Sequence, residues 1–185
     1  IRIAKKNKAD SIALGHTQDD QAETVLMRLL RGSGLSGLSA IAPKRTIKGM
    51  VFIRPLLEIK RKDIEAYLRK LKVKPREDLT NKELVYFRNR IRLRLLPLLS
   101  KEYNRNIKEI LANAAQVFSE DYDYLLVEAA KKLRGCAVFV SDAQARIRLK
   151  QFTRLHSAMQ RMVMRLVIER VQGSTRRLTF QHWKE

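Results

Sequence analysis

One junction constrains this chain more than any other. Ser11-Ile12-Ala13-Leu14-Gly15, a short apolar burst, runs straight into the polar turn His16-Thr17-Gln18-Asp19-Asp20. Ala22, Val25, Leu26, Leu29 and Leu30 then recur at i, i+3, i+4, i+7 and i+8, the spacing of an amphipathic helix. A brief apolar run between polar segments reads as a strand buried in a parallel sheet. Gly32 stands where a left-handed residue commonly closes a helix. A second unit repeats the order: Val51-Phe52-Ile53-Arg54-Pro55 reads as a strand stopped by proline, and Ile64, Tyr67, Leu68 and Leu71 mark a helix. Two successive strand-then-helix units predict an α/β arrangement with a parallel sheet. Arg2 to Lys8 read as the tail of a helix feeding the first strand. That strand needs neighbours and the sequence opens without Met, so the expectation is an upstream segment beyond Ile1.

Past Pro75 the pattern changes. Asp78-Leu79-Thr80-Asn81 reads as a turn, and Phe87 to Leu99 as a helix carrying Arg88, Arg90, Arg92 and Arg94. From Ile107 an apolar stripe through Ile110, Leu111, Ala114, Val117 and Phe118 continues to about Leu133, with Gly135 predicted to end it. Val138-Phe139-Val140 reads as a short strand, Phe152 to Leu166 as a last long helix, and Leu178-Thr179-Phe180 as strand-like. The predicted division is an α/β part, 1–103, and a mostly helical part, 104–185.

Charge then narrows the function. Among 185 residues, 39 Lys and Arg face 19 Asp and Glu, a formal charge of +20. Such a surface repels itself and persists most readily with a polyanionic partner, nucleic acid foremost. The bases are spread along the chain, which implies a broad face, not a tail. Aromatic residues are only 6%, too few for base stacking to be the main mode of binding. No apolar run approaches the roughly 20 residues that cross a bilayer, so no membrane span is expected. Cys136 is the lone cysteine, which excludes an internal disulfide and points to a reducing, cytoplasmic setting.

Ligands of open α/β sheets bind at the carboxyl ends of strands, and His16, Asp19, Asp20 and Glu23 fall there. Asp20 and Glu23, three apart on one helix face, suit a Mg²⁺ ion or the ammonium of a small amine. Equally, Thr17 as N-cap with Asp20 three residues on is a capping box. His16 by itself reads as a hydrogen-bonded structural residue. Gly32, Ser33 and Gly34, with Gly37, free backbone amides to approach a phosphate, yet this loop follows a helix and matches no phosphate-loop spacing. Arg88 and Arg92 share a face at i, i+4, and the expectation is that they project outward as a phosphate clamp or solvated face.

The strings ALGHTQDDQAETVLMRLLRGSGLSGLSAI, IRPLLEIKRKDIEAYL and DLTNKELVYFRNRIRLRLLPLL together resemble the bacterial tRNA(Ile)-lysidine synthetase family, of the ATP-pyrophosphatase (PP-loop) group. The likeness covers about residues 10 to 100 in order, and HSAMQRMVMRLVIE is similar to the following domain of that family. The resemblance implies the C-terminal part of a Rossmann-like, adenine nucleotide alpha hydrolase-like domain, then a helical domain. It implies ATP-dependent joining of free L-lysine to the wobble cytidine of a tRNA(Ile) with a CAU anticodon, through an adenylated cytidine, with ATP and Mg²⁺ required. Asp20, Glu23, Arg88 and Arg90 would then be catalytic, Asp20 a candidate Mg²⁺ ligand. His16, Asp19, Arg28, Arg31, Gly32, Ser33, Gly34, Asn89 and Arg92 would bind substrate. A homodimer is left open.

The family's SGGxDS loop, which holds the ATP pyrophosphate, does not occur in this sequence. The expectation is a fragment of a longer protein that cannot form the adenylate alone, with a downstream tRNA-gripping domain absent or cut short. Rival readings are a PP-loop tRNA thiolation enzyme, against which the lone cysteine counts, a small-molecule amidating ligase, which has no need of +20, and a noncatalytic basic RNA-binding module.

Overall fold

In the structure, a computed structural model, residues 1–76, 80 and 83–174 are described. The expected strand Leu178-Thr179-Phe180, and Asp78, Leu79 and Asn81 of the expected turn, lie outside them. The chain divides into two compact units, Ile1–Glu120 and Asp121–Glu185.

The first unit opens with α1 (Arg2–Lys6), β1 (Ser11–Ala13) and α2 (Gln18–Leu29). The strand-to-helix junction is the one the sequence predicts, and Gly32 does take a left-handed φ of +74°. Next come α3 (Leu35–Leu38), β2 (Lys44–Ile47), β3 (Met50–Ile53) and α4 (Arg61–Lys70). β1 pairs in parallel with β3, Ser11 opposite Val51 and Ala13 opposite Ile53. β2 pairs antiparallel with β3, so the sheet is mixed, in the order β1-β3-β2. The hairpin turns on Lys48 and Gly49, both at positive φ, 51° and 76°, the two-residue geometry whose twist matches that of its strands. Lys-Gly is a weak hairpin signal beside Asn-Gly, which is why β2 escapes sequence reading.

The basic helix expected over Phe87 to Leu99 forms in three pieces: α5 (Phe87–Arg90), a π-helical turn Ile91–Leu95, and α6 (Leu96–Glu102). Pro97 supplies a reason for the widening. Lacking an N–H, it cannot bond the Leu93 carbonyl, and the backbone relaxes into a wider turn. Helix α7 (Ile107–Cys136) follows; Gly135 lies inside it and does not end it.

Two clusters form the core of the first unit. Leu26, Ile91 and Leu96 pack with Met27, Phe87, Leu95, Leu99 and Ile107, and Val25, Ala40 and Ala115 pack with Leu111. Each fully buried Leu or Ile contributes roughly 1.5–3 kcal/mol, so the apolar face of α2 is fixed against the Arg-rich helix, which orients the polar face discussed below.

In the second unit Ala129, Cys136, Met162 and Val163 are buried with Leu125, Leu126, Leu133, Phe152, Leu155 and Leu166, the stripes expected from sequence. A hairpin of β4 (Ala137–Ser141) and β5 (Gln144–Ile147) leads into α8 (Leu149–Phe152) and α9 (Ser157–Gln172). Gly173, at φ +71°, caps α9. Among the described residues, no helix is long and apolar enough to cross a membrane.

Candidate active site

Thr17 begins α2 as its N-cap. Its backbone N–H and hydroxyl donate to Asp20 Oδ2 at 2.8 and 2.9 Å, and the Asp20 N–H donates back to the hydroxyl. The capping box is therefore present, and it leaves Oδ1 of Asp20 facing away from the helix start. Glu23, one turn on, is only 2% exposed, where an isolated carboxylate is not tolerated.

Its compensation comes from residues 65 and 69 positions later. Arg88 donates from Nε to Glu23 Oε2 at 2.7 Å and from Nη2 to Asp20 Oδ1 at 2.8 Å. Arg92 donates from Nε to Glu23 Oε1 at 2.6 Å, and from Nη2 to Oε2 at 3.0 Å and to Asp20 Oδ1 at 3.4 Å. Hydrogen bonding to Glu23 and the charges of Glu23 and Asp20 outweigh burial and raise the Arg92 pKa. Two carboxylates and two guanidiniums thus form one neutral box. The expectation that Arg88 and Arg92 project outward is overturned: they share a face, as their spacing predicts, but that face turns in because a buried Glu23 needs them.

Asp19 ties three elements together. It accepts from the Arg61 N–H at the start of α4, 2.9 Å away, and from the Lys108 ammonium in the first turn of α7. Burial raises its pKa, but Lys108 and Arg61 more than offset that and hold it below the ordinary value. Asp19 thus fastens α2 to α4 and α7 while lining the larger cavity.

The box walls two cavities. One, of about 840 Å³, is lined on its polar side by Asp19, Asp20, Glu23, Arg92 and Lys108, and elsewhere by Leu56, Ile64, Leu68 and Val73. The other, of about 350 Å³, is lined by Leu14, Gly15, His16, Asp20, Arg88, Asn89 and Arg92, at the carboxyl end of β1. Among the described residues, the buried Nδ1 of His16 has no hydrogen-bond partner, where the sequence reading expects a hydrogen-bonded structural histidine.

Of the other expected site residues, Arg28, Arg31, Gly32, Ser33, Gly34 and Arg90 line neither cavity. Arg28 reaches the carbonyls of Gly37 and Ala40 through Nη1, at 2.7 and 2.8 Å, and so closes the glycine-rich loop. Burial, with Arg45 nearby, lowers its pKa. Gly34 caps α3 while Gly32 and Ser33 form the turn before it. Asn89, which lines the smaller cavity, is itself buried and donates to the carbonyls of Thr80 and Glu83. Arg90, expected to be catalytic, lines neither cavity; its guanidinium carbon sits 5.5 Å from the centre of the Phe87 ring, and that of Arg31 sits 5.2 Å from the same ring. Lys108, Arg61 and the apolar wall of α4 went unpredicted, since nothing local links them to α2.

A divalent cation does not fit this arrangement. Every oxygen of Asp20 and Glu23 already accepts from a nitrogen or hydroxyl, and among the described residues no three His, Cys, Asp or Glu side chains gather to hold a metal.

The chain is 38% identical, over 97% of its length, to the tRNA(Ile)-lysidine synthase of Clostridioides difficile (strain 630). It is 41% identical over 94% of its length to that of Solibacter usitatus (strain Ellin6076), and 40% identical over 90% to that of Bacillus anthracis. It spans 38%, 38% and 35% of the length of these three relatives. Residues 1–99, more than half of the chain, match the PP-loop domain, and the chain belongs to that family.

Proposed function

We propose that this chain forms part of an enzyme that joins L-lysine to the wobble cytidine of a tRNA(Ile) with a CAU anticodon. The name shared by its relatives and the PP-loop match support the reaction class. The observation that carries the reading is the Asp20–Glu23–Arg88–Arg92 box between two cavities, one partly apolar and the other lined by His16, whose Nδ1 is unpartnered among the described residues.

ATP, when bound, supplies the adenylyl group that turns the exocyclic carbonyl oxygen of the cytosine base into a leaving group. The chain's own residues do the rest. The larger cavity alternates negative and positive groups beside a wall of Leu and Ile, which suits a zwitterionic amino acid with a methylene stem. An ammonium entering it competes for Asp20 Oδ1 and loosens Arg88, whose side chain is about one-third exposed (35%). The freed guanidinium then faces the smaller cavity, where it and His16 meet a phosphate that carries developing charge. No step needs a metal ligand from Asp20.

The test uses the full-length protein with ATP, lysine and the tRNA, and mass analysis of the wobble cytidine. The wild type should add one lysine. Asp20→Asn and Arg88→Gln should each cut the rate by at least ~100-fold, the scale of losing one charge-stabilising group, with tRNA affinity within about threefold. Unchanged lysine incorporation in both variants would refute the assignment.

A further inference from the structure

Helix α2 ends at Leu29, and the side chain of Arg31 just beyond it lies over Phe87; Arg90, one turn along α5, lies over the same ring. Both arginines are exposed, and among the described residues neither has a carboxylate partner. They contrast with Arg28, Arg88 and Arg92, which are consumed by carbonyls or carboxylates. Phe87 itself is anchored, because it packs against the Leu26, Ile91 and Leu96 cluster. A ring fixed in the core and covered by two guanidiniums is a means of ordering cations that otherwise lose rotamer entropy on binding.

We propose that Arg31 and Arg90, held by Phe87, form a phosphodiester grip for the RNA strand whose base enters the active site. Guanidiniums suit phosphate because they present paired donors, and the +20 charge of the chain favours RNA as the occupant. Placement agrees. Leu29, the last residue of α2, is six residues beyond Glu23, about 9 Å along the helix axis, with Arg31 two residues further on, and Arg90 is two residues from Arg88, so one strand can touch the grip and the cavity together. Phe87 is a positioning residue, and Arg90, placed outside both cavities, takes this role in place of a catalytic one. The choice of tRNA as the strand rests on the function proposed above; the grip on RNA phosphate does not.

The experiment is equilibrium binding of a tRNA(Ile) transcript to the full-length protein across a salt series, with steady-state kinetics alongside. Arg31→Gln/Arg90→Gln should raise Kd and the KM for tRNA at least tenfold. It should flatten the slope of log affinity against log salt by about 1.5, as expected for two lost phosphate contacts, and leave kcat and the KM for lysine within twofold. Phe87→Leu should raise Kd about threefold with the slope unchanged, and Phe87→Tyr should restore it. A double variant that binds with wild-type affinity and slope overturns the grip, even if lysidine is made. A flattened slope in a protein that makes no lysidine supports the grip and overturns the proposed function instead. Phe87→Leu binding like wild type overturns the positioning role, and a wild-type affinity indifferent to salt overturns the grip outright.

Discussion

Arg92 and Glu23 meet as a two-point fork, Nε to Oε1 at 2.6 Å and Nη2 to Oε2 at 3.0 Å. The glutamate is almost wholly buried and the arginine only 23% exposed. A pair of this kind is costly to break from one side, because the survivor keeps a charge without its partner. Glu23→Gln should therefore lower stability by about 3 kcal/mol, and Arg92→Lys by a smaller amount, since a lysine keeps the charge but not the fork. Urea unfolding at neutral pH would measure both. Equal stability of wild type and Glu23→Gln would mean the box is not a structural unit.

Asp19 gives a dependence on pH whose sign is fixed. Its carboxyl is held below the ordinary value of 3.8 in the folded chain. Its contribution is therefore complete above that ordinary value and is lost as pH falls through the lower, folded one. Thermal melts of Asp19→Asn against wild type should show a gap at pH 6 that closes progressively below pH 4. A gap that persists or grows in acid would contradict the fastening of Arg61 and Lys108.

Arg28 separates a structural arginine from an RNA-binding one. Arg28→Ala leaves the Gly37 and Ala40 carbonyls to water and should cost about 1–3 kcal/mol while leaving the salt slope of RNA binding unchanged. A flattened slope would return Arg28 to the RNA interface.

Gly37 is needed for space. A Cβ added there would come 2.4 Å from Ser33 Cβ, so Gly37→Ala should destabilise by about 1–3 kcal/mol. Ser33→Gly removes the clashing atom, and the double variant should recover part of that loss. Denaturant midpoints of the four proteins would test it, strict additivity being the contrary result.

Much of this was legible along the chain because it is local. The β1-to-α2 junction, the capping box of Thr17 and Asp20, the left-handed Gly32 and the helical stripes of the second unit each depend on residues within a turn or two. Sequence pattern also put Arg88 and Arg92 on one face. What spacing does not encode is the direction in which that face points. Glu23 and Arg92 lie 69 positions apart, and only the packing of Leu26 against Ile91 and Leu96 brings their helices together and leaves the glutamate without water. The same packing sends Arg90 out over Phe87 and draws Lys108 to Asp19. The primary structure thus settled which charges the molecule carries and on which helices. Which charges neutralise one another, and which stay free for a ligand, was decided by burial, because an unpaired ion is tolerated in water and not in a core.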